Sequence, residues 1–202
     1  RGLRLPPKIA PTQVVVVPFF KNSEELNSIK NYIDAHLEKL SLEGVRIYFD
    51  DREKMSPGYK FNEWELKGAP IRLEIGQQEI ESGEITLFRR DLNTKETISG
   101  DLIVSTVTDL LDAIQSNMFE QANQFMQNNI YNISTYGEFK KQINSGGFVR
   151  CGWDGTEKTE QIIKEETKAT IRCIPFDEDP SDISCILTGS PAKHEVIFAK
   201  AY

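Results

Sequence analysis

The sequence contains few of the residues on which metal sites, disulfide frameworks and nucleophilic catalysis depend. It has two histidines, His36 and His194, and three cysteines among 202 residues. The histidines are isolated, and no arrangement of residues around either one supports a nucleophile–histidine–acid triad. An odd number of cysteines does not suit a disulfide framework and favours a reducing compartment. We therefore expect a cytoplasmic protein, and triad catalysis has no support.

Two kinds of segment are missing as well. Neither the G-x-G-x-x-G pattern nor the P-loop pattern occurs, so the chain has no glycine-rich loop for nucleotide phosphates. No apolar run approaches ~20 residues, the length that a membrane-spanning helix needs. Residues 1–7 lack both an initiator methionine and the apolar stretch of a signal peptide. We expect a chain cut from a longer protein that makes no contact with a membrane.

The chain also lacks an excess of positive charge. Its 24 Lys and Arg residues against 31 Asp and Glu residues give a formal net charge of −7. A protein that binds nucleic acid mainly by neutralising phosphates is usually basic overall, so the balance argues against that mode of binding. It leaves open a local basic patch that reads an RNA loop.

What is present predicts an α/β protein. Residues 13–20 form a near-continuous apolar run, typical of a central parallel strand that is buried on both faces. Asn22 and Glu25 form a capping box before an amphipathic helix that ends at Gly44. A strand from Val45 completes a right-handed βαβ unit. Further elements are predicted at 85–98 (hairpin), 107–125 (long helix), 135–146 (helix), 148–153 (strand), 156–167 (helix), 171–175 (strand) and 196–199 (strand).

The segment 45–76 combines two apolar strands with a charged, aromatic stretch between them. Its first strand alternates apolar and polar residues with a period of two, and Asp50 begins the charged run that ends it. Residues 56–58, Ser-Pro-Gly, predict a turn, residues 61–66 a short helix and residues 71–75 a returning strand. The sequence thus predicts a polar platform at the end of a sheet.

The aromatic and charged residues of this platform have two interpretations. In the first, Tyr59, Phe61 and Trp64 pack the loop against the sheet, which we expect for at least two of them, and Arg52 beside Asp50 and Asp51 makes a weak surface ion pair. In the second interpretation these side chains bind RNA, because unpaired bases stack on flat rings and form hydrogen bonds with polar groups at their edges.

The same segment resembles a known family. The residues DDREKMSPGYKFNEWELKGAPIRLEIG (50–76), GLRLPPKIAPTQVVVVPF (2–19) and FAKAY (198–202) are similar to prolyl-tRNA synthetases of the archaeal and eukaryotic type. The resemblance covers essentially the whole chain. It implies a mixed-sheet class II anticodon-binding domain at 12–115, preceded by the end of a connection to a catalytic domain at 1–11. A smaller α/β C-terminal domain is implied at 116–202.

The resemblance also implies a function. The chain would be the tRNA(Pro) anticodon-recognition region of proline–tRNA ligase, which uses ATP to attach proline to tRNA(Pro). The catalytic domain, with its ATP and Mg²⁺, would lie upstream of Arg1, so the chain should be inactive alone and hold no cofactor. The expected partners are tRNA(Pro), the enzyme's own catalytic domain and a second copy in a homodimer.

The family's anticodon-reading residues fall on Glu65, Arg72 and Lys95 of this sequence. Proline codons begin CC, so every proline anticodon carries two adjacent guanines. Guanine offers O6 and N7 as acceptors for an arginine fork and N1–H and N2–H₂ as donors for a carboxylate. A helix end and the next strand bring Glu65 and Arg72 close, and Lys95 sits in a turn. A local Glu65–Arg72 ion pair is the alternative.

Two wider alternatives stay open at this point. One is that the chain is a protein-interaction or regulatory module on the same α/β fold, without any RNA. The other concerns Tyr202: in the resembled family a C-terminal tyrosine carboxylate reaches the catalytic domain, whereas here the end of the chain could simply be packed. The apolar residues 196–199 predict an ordered last strand in either case.

A zinc site of the resembled family is incomplete in this sequence. Family members carry C-G-x3-C and C-x2-C pairs, but here the pairs read Cys151 to Thr156 and Cys185 to Thr188. A neutral hydroxyl is a poor Zn²⁺ ligand, and tetrahedral structural sites need four Cys or His ligands. Cys173 matches no ligand of the family. The resemblance therefore implies a degenerate site, and we expect three reduced cysteines in a metal-free domain.

We predict that the purified protein contains no stoichiometric zinc, because Thr156 and Thr188 stand where thiolates are needed. Elemental analysis after extensive dialysis measures the metal content directly. A result of about one zinc per chain would show that the two remaining thiolates recruit other ligands, and the prediction would be wrong.

Overall fold

The computed structural model describes residues 2–200. The chain divides into two compact units, 1–121 and 122–202, and the division falls within a long helix, Ile103–Asn128. The predicted domain limits of 12–115 and 116–202 stay a prediction. Each unit is α/β. None of the helices formed by residues 2–200 has the length and apolarity to cross a membrane.

The first unit is built on a five-stranded mixed sheet with the order β2-β1-β3-β4-β5. Strand β1 is parallel to both β2 and β3, whereas β4 is antiparallel to β3 and β5. The elements are β1 (Val14–Pro18), α1 (Ser23–Leu42), β2 (Ile47–Phe49), α2 (Pro57–Lys67), β3 (Ile71–Ile75), α3 (Gln77–Ser82), β4 (Glu84–Arg89), β5 (Thr94–Ser99) and α4 (Ile103–Asn128).

The sequence predicted the central strand and the first helix well. All five residues of β1 are buried, as the apolar run indicated. Asn22 caps α1 by accepting a hydrogen bond from the Glu25 backbone N–H at 2.9 Å. The return bond of the capping box runs from the Lys21 backbone N–H to the Glu25 carboxylate at 2.8 Å, one residue before the position that the motif predicts.

Helix α2 begins four residues before the predicted start at residue 61. The predicted Ser-Pro-Gly turn is the helix start instead. Ser56 is the N-cap and accepts from the Tyr59 backbone N–H at 3.3 Å, and Pro57 occupies the first helical position. At the other end Gly68 takes a φ of 80°, and Leu3 and Leu5 approach so closely that a Cβ at Gly68 would lie 2.9 Å from each.

The two faces of the first sheet carry different cores. The larger core covers one face and includes Val14, Val16 and Leu73, packed with α1 and α4. On the other face Val15 and Val17 pack with Trp64, Ala69 and Phe61. Phe61 and Trp64 therefore pack against the sheet, as expected for two of the three aromatic residues, while Tyr59 is exposed.

A buried carboxylate attaches α2 to the end of β2. Asp50 is fully buried and accepts from the Arg52 guanidinium through both oxygens at 2.8 Å. It also accepts from the Trp64 indole N–H at 2.8 Å, and its backbone oxygen accepts from Lys60 Nζ at 2.9 Å. The interpretation of Arg52 and Asp50 as a weak surface pair is wrong, because Asp50 is fully buried and its carboxylate accepts hydrogen bonds from both Arg52 and Trp64.

Titration of Asp50 is tied to this arrangement. Burial alone would raise the pKa of Asp50, but the hydrogen bonds from Arg52 and Trp64 and the positive charges of Lys60 and Arg52 lower it from 3.8 to about 2. The pKa of Lys60 is lowered, because burial of its ammonium outweighs the favourable charge of Asp50. The Asp50 carboxylate is therefore ionised at neutral pH, and Lys60 Nζ lies 3.9 Å from its Oδ1 inside the protein.

The second unit has a four-stranded sheet with the order β6-β7-β9-β8. Strands β6 and β7 are parallel, and β9 is antiparallel to β7 and β8. Its core includes Phe139, Ile163 and Phe198, and the rings of Phe139 and Phe198 meet edge to face at 5.3 Å. The elements are β6 (Ile130–Asn132), α5 (Tyr136–Ser145), β7 (Phe148–Trp153), α6 (Glu157–Thr167), β8 (Ala169–Cys173) and β9 (His194–Lys200).

We predict that Asp50→Asn lowers the free energy of unfolding by about 3 kcal/mol, because it leaves the buried Lys60 ammonium without its counter-charge. Asp51→Asn is the matched control, since Asp51 makes an exposed pair with Lys30 and should cost under about 1 kcal/mol. Urea denaturation at pH 7 measures both. Equal losses for the two variants would show that Asp50 does not anchor the helix.

The same carboxylate predicts a pH dependence. Because the folded-state pKa of Asp50 is depressed, its contribution is fully present above the ordinary value of 3.8 and is lost as the pH falls towards 2. Wild type should therefore lose about 2 kcal/mol more than Asp50→Asn between pH 4 and pH 2. Parallel stability curves for the two proteins over this range would contradict the assignment.

Candidate functional site: a convergent ion-pair cluster

The three residues assigned to anticodon reading lie together on the α2 face of the first sheet. Glu65 is in α2, Arg72 in β3 and Lys95 in β5. The register places Arg72 opposite Phe88 of β4, and Phe88 in turn opposite Lys95. Side chains opposite one another in a sheet share a face, so the antiparallel hairpin carries Lys95 to the side of Arg72.

Arg72 lies at the centre of the cluster and is only 4% exposed. Its Nη1 donates to Glu65 Oε1 at 3.2 Å, so the local ion pair considered as the alternative forms in this structure. Its two flat faces are covered by aromatic rings, with Cζ 3.8 Å from the ring centroid of Phe61 and 4.2 Å from that of Phe88. The guanidinium is thus held flat between two rings.

The sequence reasoning missed Glu74, the carboxylate that joins the two cations. Glu74 is buried on β3, two residues after Arg72 and on the same face. Its Oε1 accepts from Arg72 Nε at 3.0 Å and Nη2 at 2.9 Å, and its Oε2 accepts from Lys95 Nζ at 2.8 Å. The alternation of Ile71, Leu73 and Ile75 predicts that Glu74 faces the other side of the strand, together with Arg72, but it does not predict the burial of Glu74 or its partners.

Lys95 is the most exposed of the four side chains of the cluster. It lies in β5 and not in the turn where the sequence reasoning placed it, and its side chain is 50% exposed. Its ammonium is 5.4 Å from the ring centroid of Phe61. A lysine with an exposed stem and one carboxylate partner can move to a new acceptor at small cost.

The chemistry of the cluster suits a ligand that presents donors and acceptors side by side. Glu65 and Glu74 balance Arg72 and Lys95, so the four formal charges sum to zero. Glu65, whose side chain is 34% exposed, and Lys95 lie at the surface, whereas Arg72 and Glu74 lie beneath them. An exposed carboxylate can receive N–H groups of a base edge, and an ammonium or guanidinium can donate to its acceptors.

In the second unit the two threonines of the degenerate zinc site make local hydrogen bonds. Thr156 is the N-cap of α6 and donates from Oγ1 to Asp154 Oδ1 at 2.9 Å. The Thr188 hydroxyl bonds the Ser190 hydroxyl at 2.7 Å. Cys151 and Cys185 are both buried, and Cys173 is exposed.

The protonation state of Cys151 bears on metal binding. Burial raises the pKa of its thiol to about 12, with smaller contributions from Cys185 and Glu195. The thiol is therefore protonated at neutral pH, whereas zinc ligation requires a thiolate. Among residues 2–200 no group of three or more His, Cys, Asp or Glu residues is arranged to hold a metal ion. Tyr202, the proposed support of the active site, lies outside the described residues.

Both units match families of known proteins. Residues 13–110 match the anticodon binding domain, and residues 136–202 match the C-terminal domain of prolyl-tRNA synthetase. The cluster of Glu65, Arg72, Glu74 and Lys95 lies wholly within the first match.

Curated relatives extend the similarity over the full chain. Proline–tRNA ligases of Porphyromonas gingivalis and Parabacteroides distasonis are each 45% identical over 201 residues, and that of Bacteroides fragilis is 42% identical over 205 residues. Each alignment covers 100% of this chain and 41% of the relative, so the chain spans less than half the length of these proteins. The assignment to the archaeal and eukaryotic type stays a prediction.

The order of the two matches reproduces the order of the two units described above, and the alignments with the relatives cover both. The chain therefore belongs to the prolyl-tRNA synthetase family, as an anticodon-binding domain followed by the C-terminal domain of that family.

Proposed function

We propose that the chain is the region of a proline–tRNA ligase that recognises the anticodon of tRNA(Pro). The observation that carries the proposal is the convergence of Glu65, Arg72 and Lys95, from three separate elements, on one partly open face of the first sheet. The relatives that match the whole chain are named proline–tRNA ligases, which supports the same conclusion.

The recognition step follows from the accessibility of each group. Glu65 and Lys95 are exposed enough to meet a base directly, so the Glu65 carboxylate receives the N1–H and N2–H₂ of a guanine and the Lys95 ammonium donates to its O6 or N7. Arg72 offers the N–H groups of its terminal edge, since its two faces are covered by Phe61 and Phe88. A base enters by replacing the Lys95–Glu74 and Glu65–Arg72 contacts with contacts of its own.

The remaining parts of the proposal concern the full-length protein. ATP and Mg²⁺ would bind in a catalytic domain outside this chain, and the 202 residues would be inactive alone. The full-length ligase would act in the cytoplasm as a homodimer, with tRNA(Pro) and its own catalytic domain as partners. The second unit would be a metal-free domain in which Thr156 and Thr188 stand in the places of zinc ligands, and a C-terminal Tyr202 would support the active site.

A second function is favoured by one observation. Arg72 is almost fully buried and already paired with two carboxylates, as it would be in a purely structural cluster. On that view the chain is a protein-interaction module without RNA. A gel shift of the full-length protein with a proline tRNA transcript separates the two, because the module would not retard the RNA.

We predict that Arg72→Ala removes about 1–3 kcal/mol of discrimination between tRNA(Pro) and transcripts in which either anticodon guanine is replaced. Because the truncation removes both hydrogen bonds to Glu74 Oε1, Arg72→Lys is made alongside it. That variant keeps a positive charge but loses the fork, and it should also lose discrimination. Affinities of the full-length ligase for each transcript give the ratio.

Arg89→Ala is the matched control. Arg89 lies on the adjacent strand, opposite Ile71 and therefore on the other face of the sheet, and it is bonded through two nitrogens to buried Asp91. The Arg89→Ala variant should be less stable than wild type but should keep the wild-type ratio of affinities for tRNA(Pro) and the substituted transcripts. If Arg72→Ala and Arg72→Lys both keep the wild-type ratio, Arg72 does not read the anticodon.

A further inference from the structure

Glu74 holds both cations of the cluster with one carboxylate. Its Oε1 accepts two hydrogen bonds from Arg72, at 3.0 and 2.9 Å, and its Oε2 accepts one from Lys95 at 2.8 Å. The carboxylate is 5% exposed, so solvent does little to screen these contacts. None of the site roles that the resemblance implies falls on this residue.

The position of Glu74 restricts what Arg72 can do. A guanidinium has five N–H groups, and Glu74 engages those on the Nε side while Glu65 engages one on Nη1. The rings of Phe61 and Phe88 cover the two faces. A ligand can therefore reach only the edge of the Arg72 guanidinium that points away from Glu74. In this way Glu74 determines the direction from which a base can approach.

Glu74 also restricts what the cations attract. Arg72 and Lys95 lie on one sheet face, on either side of Phe88, and with Glu65 alone they would carry a net charge of +1. Uncompensated cations on an RNA-facing surface bind phosphate, which is present at every nucleotide and carries no sequence information. With Glu74 in place the cluster is neutral, and only a ligand that supplies matched donors and acceptors can replace the internal ion pairs.

A gain in stability does not explain why a carboxylate, and not an apolar side chain, is buried at position 74. A buried ion pair is often no more stabilising than an apolar pair of similar size, and the other face of the same strand uses Ile71, Leu73 and Ile75. The charges occur on the face where the anticodon-reading residues converge.

We propose that Glu74 is a positioning residue for anticodon recognition, whose buried carboxylate orients Arg72 and Lys95 and suppresses their general attraction for RNA phosphate. The inference rests on the proposed function, since it assumes that Arg72 and Lys95 meet the anticodon. It predicts that Glu74 creates specificity mainly by weakening the binding of incorrect RNA.

The test compares Glu74→Gln and Glu74→Asp in the full-length ligase. Glutamine keeps the shape but removes the charge, whereas aspartate keeps the charge but withdraws it by one methylene. Asp91→Asn is the matched control, because Asp91 is equally buried and bonds Arg89 and Asn117 outside the cluster. Affinities for tRNA(Pro) and for a transcript with one anticodon guanine replaced are measured over a range of salt concentrations, with thermal unfolding of each variant.

We expect Glu74→Gln to bind the substituted transcript more tightly than wild type does, so that selectivity falls about tenfold. The slope of log affinity against log salt should steepen by about 0.7, the value for one more phosphate contact on single-stranded RNA. Glu74→Asp should keep the wild-type salt slope but lose selectivity. If Glu74→Gln does not fold, the result for Glu74→Asp decides the test. Asp91→Asn should keep both the wild-type selectivity and the wild-type salt slope.

Three outcomes would overturn the inference. If Glu74→Gln and Glu74→Asp keep wild-type selectivity and slope, Glu74 neither positions nor restrains the cations, and the proposed function stands without it. If both variants bind the two transcripts more weakly by the same factor, as a destabilised protein does, the role of Glu74 is structural. If wild type itself binds the two transcripts equally, the proposed function fails, and this inference fails with it.

Discussion

The buried carboxylate of Asp50 determines where α2 lies, and the candidate site depends on α2. The helix makes only a small apolar contact with the sheet, through Phe61 and Trp64, which pack with Ala69 against Val15 and Val17. Such a patch leaves a short helix free to shift. The hydrogen bonds that Asp50 receives from the Trp64 indole and the Arg52 guanidinium are directional and therefore fix its position. Because the same helix carries Phe61 and Glu65, the anchor indirectly fixes a ring and a carboxylate against Arg72.

The two faces of the sheet have different roles, because alternate residues of each strand face opposite sides. Along β3 one set of side chains joins the apolar core under α1 and α4, and the other set, Arg72 and Glu74, forms the polar cluster. The apolar set makes the strand rigid, and rigidity of the backbone is what allows a polar set to be held in a defined geometry. The cluster is built on strands and a helix, with no residue contributed by a mobile loop.

Most of this fold could be predicted from the sequence, and the exceptions have physical reasons. The apolar runs and helical periodicities located the main strands and helices, but the short elements α3 (Gln77–Ser82) and β6 (Ile130–Asn132) carry too few residues for a period to appear. The start of α2 was missed because Ser-Pro-Gly suits both a turn and a helix N-terminus. Only the position of the next element decides between them.

The candidate site was predictable in its three named residues, through resemblance, and unpredictable in the fourth. A glutamate between apolar residues of a strand is ordinarily exposed, and nothing local to β3 shows that Glu74 is buried. Its burial depends on the β4–β5 hairpin, whose register brings Lys95 alongside, and on α2, which covers Arg72. Both are contacts between residues distant in the sequence, such as the 21 positions between Glu74 and Lys95. A motif identifies the residues that touch a ligand, whereas the carboxylate that orients them is found only when the packed elements are seen together.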